Sequence, residues 1–266
     1  MTQRTVDIAI IGAGSAGMSA YRAARKHTDS IVVIESGPYG TTCARVGCMP
    51  SKLLIAAADA ARAVREAPHF GVNARLDAID GRAVMQRVRD ERDRFVGFVV
   101  DTVNDWPDAH RLRGHARFVK PGVLVVDGTE ITARCIIIAT GARARDLPFA
   151  KADGQRVWTY RHAMTPKEMP KKLLVIGSGA IGIEFASFYN DMGCDVTVVE
   201  MLDRIVPVED KDVSAFLEKS LKKQGMTIMT GAGVEDLKVT AMGVKAKIKG
   251  SKGKVTETEF SHCITA

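Results

Sequence analysis

Two cysteines, Cys43 and Cys48, are the residues whose type and spacing most directly suggest chemistry. They lie in the segment Gly40-Thr-Thr-Cys-Ala-Arg-Val-Gly-Cys-Met-Pro-Ser-Lys52. A tetrahedral zinc site needs a second pair of cysteines or histidines at a suitable spacing, and none lies nearby. We therefore predict thiol chemistry for this pair and no metal site.

A disulfide between these two thiols requires a bend in the chain. In a regular helix five residues advance about 7.5 Å along the axis, which exceeds the roughly 7 Å limit between bridged Cα atoms. Gly47 tolerates a bend, and Pro50 suits the first turn of a helix. Cys48 would then lie at a helix amino terminus, where the dipole stabilises a thiolate and makes a disulfide redox-active. We expect ordinary buried thiols at the three other cysteines, Cys135, Cys194 and Cys263.

The elements around the cysteines include two glycine-rich segments, Asp7–Gly17 and Lys172–Gly182, which repeat at an offset of 165 residues. Each follows a β-branched run, opens a helical stretch and leads to an acid, Glu35 or Glu200, 23 residues after its first glycine. In such a unit the first glycine permits a tight turn, the second lets the backbone approach a pyrophosphate, and the third lets helix pack on strand. The acid accepts hydrogen bonds from ribose hydroxyls. We predict two dinucleotide-binding units.

The acid of the second unit also bears on cofactor choice. A Glu200 carboxylate facing the ribose 2′ position would repel the 2′-phosphate of NADP and bond well to the free hydroxyl of NAD. Arg204 lies four residues beyond the strand end and is the side chain that could recruit the phosphate instead. The carboxylate favours NAD.

Between the repeats, apolar periodicity predicts helices over residues 52–67 and 81–106, and short strands at 116–119, 123–126, 130–132 and 135–139. A polar segment near residue 150 is typical of a connection between domains. The sequence thus predicts an α/β fold with two Rossmann-like dinucleotide-binding domains, residues 1–149 and 150–266.

Composition excludes several other classes of protein. The chain has 266 residues, 46% of them hydrophobic and 26% charged, and its net charge of +7 is spread along the sequence. This argues against disorder and against a nucleic-acid-binding surface. The lysines of Val244–Lys249 alternate into a glycine turn, which predicts a hairpin with a solvated face. No apolar stretch approaches the roughly 20 residues of a membrane span, and no secretory signal is evident, so we expect a cytoplasmic protein without membrane contact.

The order of these motifs resembles that of the FAD-dependent pyridine nucleotide disulfide oxidoreductases over the whole chain, including Ile138-Ala-Thr-Gly141. The resemblance implies an FAD-binding domain (its amino-terminal part) over residues 1–149 and an NAD-binding domain over 150–266. The expected FAD contacts are Gly12, Gly14, Ser15, Ala16, Gly17, Glu35, Lys52, Ala116, Thr140 and Gly141. The expected NAD contacts are Gly177, Gly179, Ala180, Ile181, Gly182 and Glu200. Four further cofactor contacts are expected at Ser36, Thr42, Val234 and Ala266.

The resemblance also implies roles for the catalytic residues. Cys43 would be the interchange thiol that meets the substrate, and Cys48 the thiolate that contacts the flavin. Lys52 and Glu184 resemble the family's ion pair beside the flavin ring, although Lys52 could equally be a solvated helix residue and Glu184 a first-turn acid favoured by the helix dipole. The implied reaction oxidises dihydrolipoyl groups of a 2-oxo-acid dehydrogenase or related complex with NAD, a role in cell redox homeostasis.

Several family features are missing from the sequence. None of the six histidines is followed by the proline and glutamate of the family's acid/base pair, and the late flavin-binding Gly-Asp box and the carboxyl-terminal dimerisation domain are absent. We expect the front part of a longer homodimeric enzyme and an inactive truncated chain. Ala44 and Arg45 replace a common Leu-Asn, and Thr41 replaces a glycine. A related disulfide or mercuric reductase, or an inert dinucleotide-binding fragment, are the alternatives.

Overall fold

The computed structural model describes residues 2–266. They form two compact units, one built from residues up to 45 together with 92–143, the other from 46–91 together with 144–266. The first unit therefore ends close to the domain boundary expected near residue 150, but residues 46–91 group with the second unit. Leu54 and Ala58 explain this grouping because they pack into the same core as Phe185 and Phe188. The domains 1–149 and 150–266 stay a prediction.

The first unit is built around a six-stranded sheet of order β3-β2-β1-β6-β5-β4. Strands β3, β2, β1 and β6 run parallel, and β5 and β4 continue the sheet antiparallel. Its elements are β1 (Thr2–Ile11), α1 (Ser15–Ala24), β2 (Ile31–Glu35), α2 (Thr42–Val46), β3 (Arg111–Arg113), β4 (Ala116–Lys120), β5 (Val123–Val126) and β6 (Thr129–Ile138). β2 is a continuous apolar run, and β1 and β6 end in apolar runs beside it, as expected for parallel strands covered on both faces.

Two of the predicted strands are wrong as separate elements. Residues 130–132 and 135–138 belong to one long strand, β6, which pairs with β1 from Thr2↔Thr129 to Ile11↔Ile138, and Ala139 follows its end. The predicted break fell at Ala133 and Arg134, but pairing with the ten-residue β1 holds the whole segment extended. Tertiary pairing thus overrides local pattern here.

The second unit contains a fully parallel five-stranded sheet of order β10-β9-β8-β14-β7. Its strands and helices are β7 (Val157–Trp158), α5 (Tyr160–Ala163), β8 (Lys172–Ile176), α6 (Ala180–Asp191), β9 (Asp195–Val199), α7 (Lys211–Lys223), β10 (Thr227–Met229) and β14 (His262–Thr265). The crossover β8-α6-β9 repeats the β1-α1-β2 crossover of the first unit, as the 165-residue offset predicts.

An antiparallel three-stranded sheet also belongs to the second unit. It consists of β11 (Gly233–Val239), β12 (Val244–Lys249) and β13 (Val255–Phe260). Val244, Ala246 and Ile248 are buried while the lysines between them point outward. The predicted hairpin is therefore present, and Lys245 pairs with glutamates of β13.

Two long helices occupy the chain between the repeats. They are α3 (Cys48–Glu66) and α4 (Gly81–Asn104), close to the helices predicted from apolar periodicity. In the second unit, α3 packs on α6. Leu54 and Ala58 line the buried face of α3, spaced four residues apart as helix geometry requires.

Candidate functional site

The first glycine loop joins β1 to α1 in a conformation that only glycine accommodates. Gly12 has φ +105°, and a side chain there would collide with the Ala139 carbonyl; a side chain at Gly17 would collide with the Gly12 carbonyl. In contrast, a methyl group at Gly14 would have no neighbour within 4 Å. The open middle glycine leaves the space that an approaching pyrophosphate needs. Ser15 and Ala16, which begin α1, are exposed beside it.

Glu35 ends β2 and braces this loop. Its Oε2 accepts a hydrogen bond from the Ala13 amide at 2.8 Å, and its Oε1 accepts one from the Gly37 amide at 2.7 Å. The carboxylate is half-buried, with Ser36 exposed beside it. Each carboxylate oxygen retains a second lone pair, which suits hydrogen bonds from a ribose.

Other predicted contacts in the first unit lie near strand ends. Thr140 and Gly141 are exposed directly after β6, whose partner β1 ends at the glycine loop, so both strands deliver residues to the same edge of the sheet. Ala116 begins β4 and is half-buried. Thr42 is the exposed first residue of α2.

The second glycine loop repeats the geometry of the first. Gly177 has φ +99°, and a side chain there would collide with the Ala266 carbonyl; a side chain at Gly182 would collide with the Gly177 carbonyl. A methyl group at Gly179 would again have no neighbour within 4 Å, and the flanking Ala180 and Ile181 are exposed. The second loop therefore offers, at a helix amino terminus, the same open space that a pyrophosphate would need.

Glu200 follows β9 and is more tightly held than Glu35. Its Oε2 accepts hydrogen bonds from the Ser178 amide at 2.9 Å and the Ser178 hydroxyl at 2.7 Å, and its Oε1 accepts one from the Leu202 amide at 2.9 Å. Burial alone would raise the pKa of Glu200, but these donors outweigh it and lower the pKa below its ordinary value. The site therefore keeps an anionic carboxylate.

Three further residues of the second unit bear on its expected nucleotide contacts, namely Arg204, Val234 and Ala266. The Arg204 guanidinium donates to the Pro207 carbonyl at 2.9 Å. Val234 packs its side chain into the core of the antiparallel sheet, which leaves only its backbone for a ligand. Ala266 places its carbonyl against Gly177 and contributes to the turn itself.

The two motif cysteines start consecutive helices. Cys43 is half-buried on α2 and belongs to the first unit, whereas Cys48 is the exposed first residue of α3 and belongs to the second. Gly47 has φ −138° and ψ −121°, outside the helical region, so α2 and α3 are separate helices joined by the bend expected at Gly47. Pro50 lies in the first turn of α3, where its missing amide costs no hydrogen bond. Their pairing as a redox disulfide stays a prediction.

The remaining cysteines divide into two kinds. Cys194 and Cys263 are buried, and burial raises the pKa of both thiols, that of Cys194 to about 12. The prediction of a buried thiol is wrong for Cys135, which is exposed on β6. The apolar run around Cys135 suggested burial, but Ile138 in the same run is also exposed, and only Ile136 and Ile137 between them pack against the core.

Lys52 and Glu184 form an ion pair, Lys52 Nζ to Glu184 Oε1. The pair joins α3 and α6 within the second unit, one turn after the first residue of each helix, so it links the helix that begins at Cys48 to the helix that follows the second glycine loop. The side chains are 59% and 36% exposed, and a pair this exposed contributes little to stability. Its position, one turn from Cys48, makes it a candidate for function.

Further along the same helices lies a buried carboxylate that the sequence pattern did not predict. Asp191 ends α6 and pairs with Arg62 and Arg65 of α3, each at 3.2 Å. Burial raises the pKa of Asp191, while the two arginines oppose that shift. The contact of Ser178 with Glu200 was also not predicted. A comparison of the two repeats points to Ser178, because Ala13 stands at the matching position of the first loop.

Neither a metal cluster nor a membrane span is present among residues 2–266. Within that range, no group of three or more histidine, cysteine, aspartate or glutamate side chains is arranged to hold a metal ion. No helix in the same range is long and apolar enough to cross a membrane.

Comparison with known proteins identifies relatives of the whole chain. It is 39% identical to a dihydrolipoyl dehydrogenase from Zymomonas mobilis and 37% identical to one from Rhizobium etli, over 98% of this chain in each case. The chain covers only 57% and 58% of those relatives' lengths.

Solved structures agree with the predicted fold class. LpdA from Mycobacterium tuberculosis has a TM-score of 0.81 at 28% identity, covering all of this chain and 58% of its own. The flavoprotein disulfide reductase RclA from Escherichia coli, as its Cu(II) complex, has a TM-score of 0.81 at 25% identity, covering 99% of this chain and 56% of its own. The α/β fold with Rossmann-type nucleotide-binding sheets is confirmed.

A family model described as pyridine nucleotide-disulphide oxidoreductase matches residues 6–266. The family predicted from the motifs is therefore confirmed, and with it the cofactors FAD and NAD that the family uses. Both glycine loops fit such cofactors, since each offers an open middle glycine beside an anchored carboxylate. The chain belongs to the pyridine nucleotide-disulphide oxidoreductases.

Proposed function

We propose that this chain forms the nucleotide-binding part of an enzyme that oxidises dihydrolipoyl groups with NAD, using FAD and a Cys43/Cys48 disulfide. The names of the relatives at 39% and 37% identity support the substrate. Because the chain spans about 57% of the first of those relatives, the activity is proposed for the complete protein. A homodimer, a 2-oxo-acid dehydrogenase or related complex as the partner and a cytoplasmic location complete the proposal.

One observation carries the proposal furthest: the ion pair between Lys52 and Glu184. It ties the helix opened by Cys48 to the helix that follows the second glycine loop. A pair this exposed adds little stability, so its place one turn after Cys48 is the feature that a functional role would explain. The link suits a site where a thiol and a nucleotide act together.

The chain's own residues would hold both cofactors. The first loop, Gly12–Gly17, and the Glu35 carboxylate suit FAD, while the second loop, Gly177–Gly182, and the Glu200 carboxylate suit NAD. When bound, the flavin supplies a two-electron relay between the thiols and the nicotinamide.

The thiol step follows ordinary disulfide exchange. One thiolate of the dihydrolipoyl group attacks the Cys43 sulfur, forming a mixed disulfide and breaking the bond to Cys48, which leaves as a thiolate. The second substrate thiolate then displaces Cys43, so lipoyl disulfide departs and both protein cysteines hold the electron pair. Cys48 at the amino terminus of α3 is suited to the thiolate role because the helix dipole favours negative charge there.

A related disulfide reductase is the second candidate. It is favoured by the likeness to RclA and by Arg45, whose guanidinium makes one long hydrogen bond of 3.5 Å to the Pro38 carbonyl. A cationic side chain two residues from Cys43 would attract anionic substrates. Comparing NADH and NADPH as donors to lipoamide, glutathione disulfide and Hg(II) separates these activities from each other and from a fragment without turnover.

The proposal is tested with Cys48→Ser in the complete protein. We expect this variant to lose lipoamide-dependent NADH formation while it remains yellow with bound flavin, because only the thiol relay is broken. Cys135→Ser is the matched control, since Cys135 is also exposed but lies on β6. Full turnover in Cys48→Ser, or equal loss in both variants, would reject the Cys43/Cys48 assignment.

A further inference from the structure

The acids that end the two nucleotide-binding crossovers differ in how many hydrogen bonds they already accept. Among residues 2–266, Glu35 accepts one from Ala13 and one from Gly37. Glu200 accepts two from Ser178 and one from Leu202. The additional bond at Glu200 comes from the Ser178 hydroxyl.

Ser178 and Ala13 stand at the same position of the repeat, each between the first two glycines of its loop. Both are buried, at 0% and 2% exposure. Their amides play the same part, since each donates to Oε2 of the acid in its own unit. The hydroxyl is therefore the local chemical difference between the two loops at this position.

A carboxylate has about four lone-pair sites for hydrogen bonds. With two occupied, Glu35 retains one on each oxygen and can accept both hydroxyls of a ribose diol. With three occupied and the Met201 amide also favouring its charged form, Glu200 retains at most one site, on Oε1, because Ser178 saturates Oε2.

We propose that the Ser178 hydroxyl sets the nucleotide affinity of the second unit by withdrawing one acceptor site of Glu200 from the ribose. This rests on the proposed assignment of NAD to the second loop. Ser178 acts through Glu200 and is a positioning residue. A dinucleotide at Glu35 is held by two ribose bonds and stays bound, whereas one at Glu200 is held by a single bond and exchanges. That asymmetry suits a resident flavin beside a nicotinamide nucleotide that must leave after each turnover.

The test is Ser178→Ala, which gives the second loop the residue that the first loop already carries. The hydroxyl is lost, Oε2 regains a free site, and we expect the Kd for NADH to fall about tenfold, the value of one additional hydrogen bond to a charged group. The unfolding midpoint should fall at the same time, because a buried hydrogen bond is lost. A merely structural serine would weaken stability and affinity together, so opposite signs identify the positioning role.

Glu200→Ala tests the assignment of the second loop to NAD separately from the role of Ser178. If Glu200→Ala leaves NADH binding unchanged, the assignment of the second loop to NAD fails, whatever Ser178 does. If Glu200→Ala weakens binding but Ser178→Ala leaves the Kd equal or higher, the assignment stands and the role of Ser178 is rejected. In the double variant, the gain from Ser178→Ala should vanish because its only route is the carboxylate.

Ser178→Gly tests whether a change in NADH binding comes from the lost hydroxyl or from altered packing. It also lacks the hydroxyl, so it should share the tighter NADH binding, and a gain seen in Ala alone would reject the hydrogen-bond account. Binding is read by titrating NADH fluorescence in the absence of a thiol substrate, which keeps the measurement independent of turnover.

Discussion

The helices that follow the two glycine loops share a fingerprint, the three glycines at the start of each crossover, and differ in the residues that surround them. Helix α1 buries Gly17, Tyr21 and Ala24. Helix α6 buries seven of its twelve residues, Gly182, Ile183, Phe185, Ala186, Phe188, Tyr189 and Asp191. The glycines therefore fix the turn and the first contact of helix with strand, while residues beyond the fingerprint decide how deeply the helix is buried.

The reason lies in what covers each helix within its own unit. In the second unit, α3 packs on α6, and Arg62 and Arg65 of α3 form ion pairs with Asp191 at the end of α6. In the first unit, Tyr21 anchors α1 by stacking on Trp106 at 4.0 Å and bonding to His110 at 2.8 Å. In α1, this single aromatic contact takes the place of the broad apolar face that buries α6.

The largest expected effect concerns the third glycine of each loop, Gly182 in the second unit and Gly17 in the first. Gly182→Ala places a methyl group against the Gly177 carbonyl, which neither helix nor strand can avoid, so we expect a loss of more than about 3 kcal/mol in the free energy of unfolding. Urea denaturation followed by circular dichroism measures it. Gly17→Ala should be equally damaging because its methyl meets the Gly12 carbonyl.

The matched controls are the middle glycines. Gly179→Ala and Gly14→Ala place a methyl group in open space and should leave the unfolding midpoint within experimental scatter while weakening nucleotide binding. If the middle and third glycines proved equally tolerant, the two loops would not be the close-packed turns described above.

The second prediction addresses the difference between the helices. Phe188→Ala in α6 removes a side chain that is 1% exposed, and we expect a cost of about 3–5 kcal/mol from lost burial and the cavity left behind. Met18→Ala in α1 removes a half-buried side chain and should cost no more than about 1 kcal/mol. Urea denaturation of both variants compares them. Equal costs would show that the fingerprint, rather than its surroundings, sets the burial.

Much of this architecture could be predicted from the sequence because it depends on local constraints. The repeat located both turns, and a bend at Gly47 with a proline in the next turn placed a helix start at Cys48, where α3 begins. These features follow from backbone freedom at glycine and from the missing amide of proline. The Lys52–Glu184 pair came from family resemblance, since residues 132 apart in sequence give no local signal.

What could not be predicted depends on partners distant in the chain. The continuity of β6 is imposed by β1, and the burial of Asp191 involves arginines of α3. The exposure of Cys135 runs against the apolar residues that surround it in the sequence. The hydroxyl bond of Ser178 needs Glu200, 22 residues away. A repeat alignment shows that Ser178 differs from Ala13 but not what the difference does.

The smallest expected effect is the acid sensitivity that this serine adds to the second unit. The pKa of Glu200 lies below its ordinary value of 4.5 in the folded protein, so the folded state takes up a proton less readily than the unfolded state. The resulting stabilisation is complete above about pH 4.5 and is lost as pH falls through the folded pKa. Glu200→Gln should therefore flatten part of the acid limb when thermal midpoints are measured from pH 7 to pH 3, by a few degrees at most.

Ser178→Ala sharpens this result because it keeps the Glu200 carboxylate and removes one donor. Its acid limb should lie between those of the parent protein and Glu200→Gln, since the amides of Ser178 and Leu202 still hold the anion. An acid limb identical to that of the parent protein would mean that the hydroxyl does not favour the charged form. The two loops would then differ in sequence at this position without differing in electrostatics.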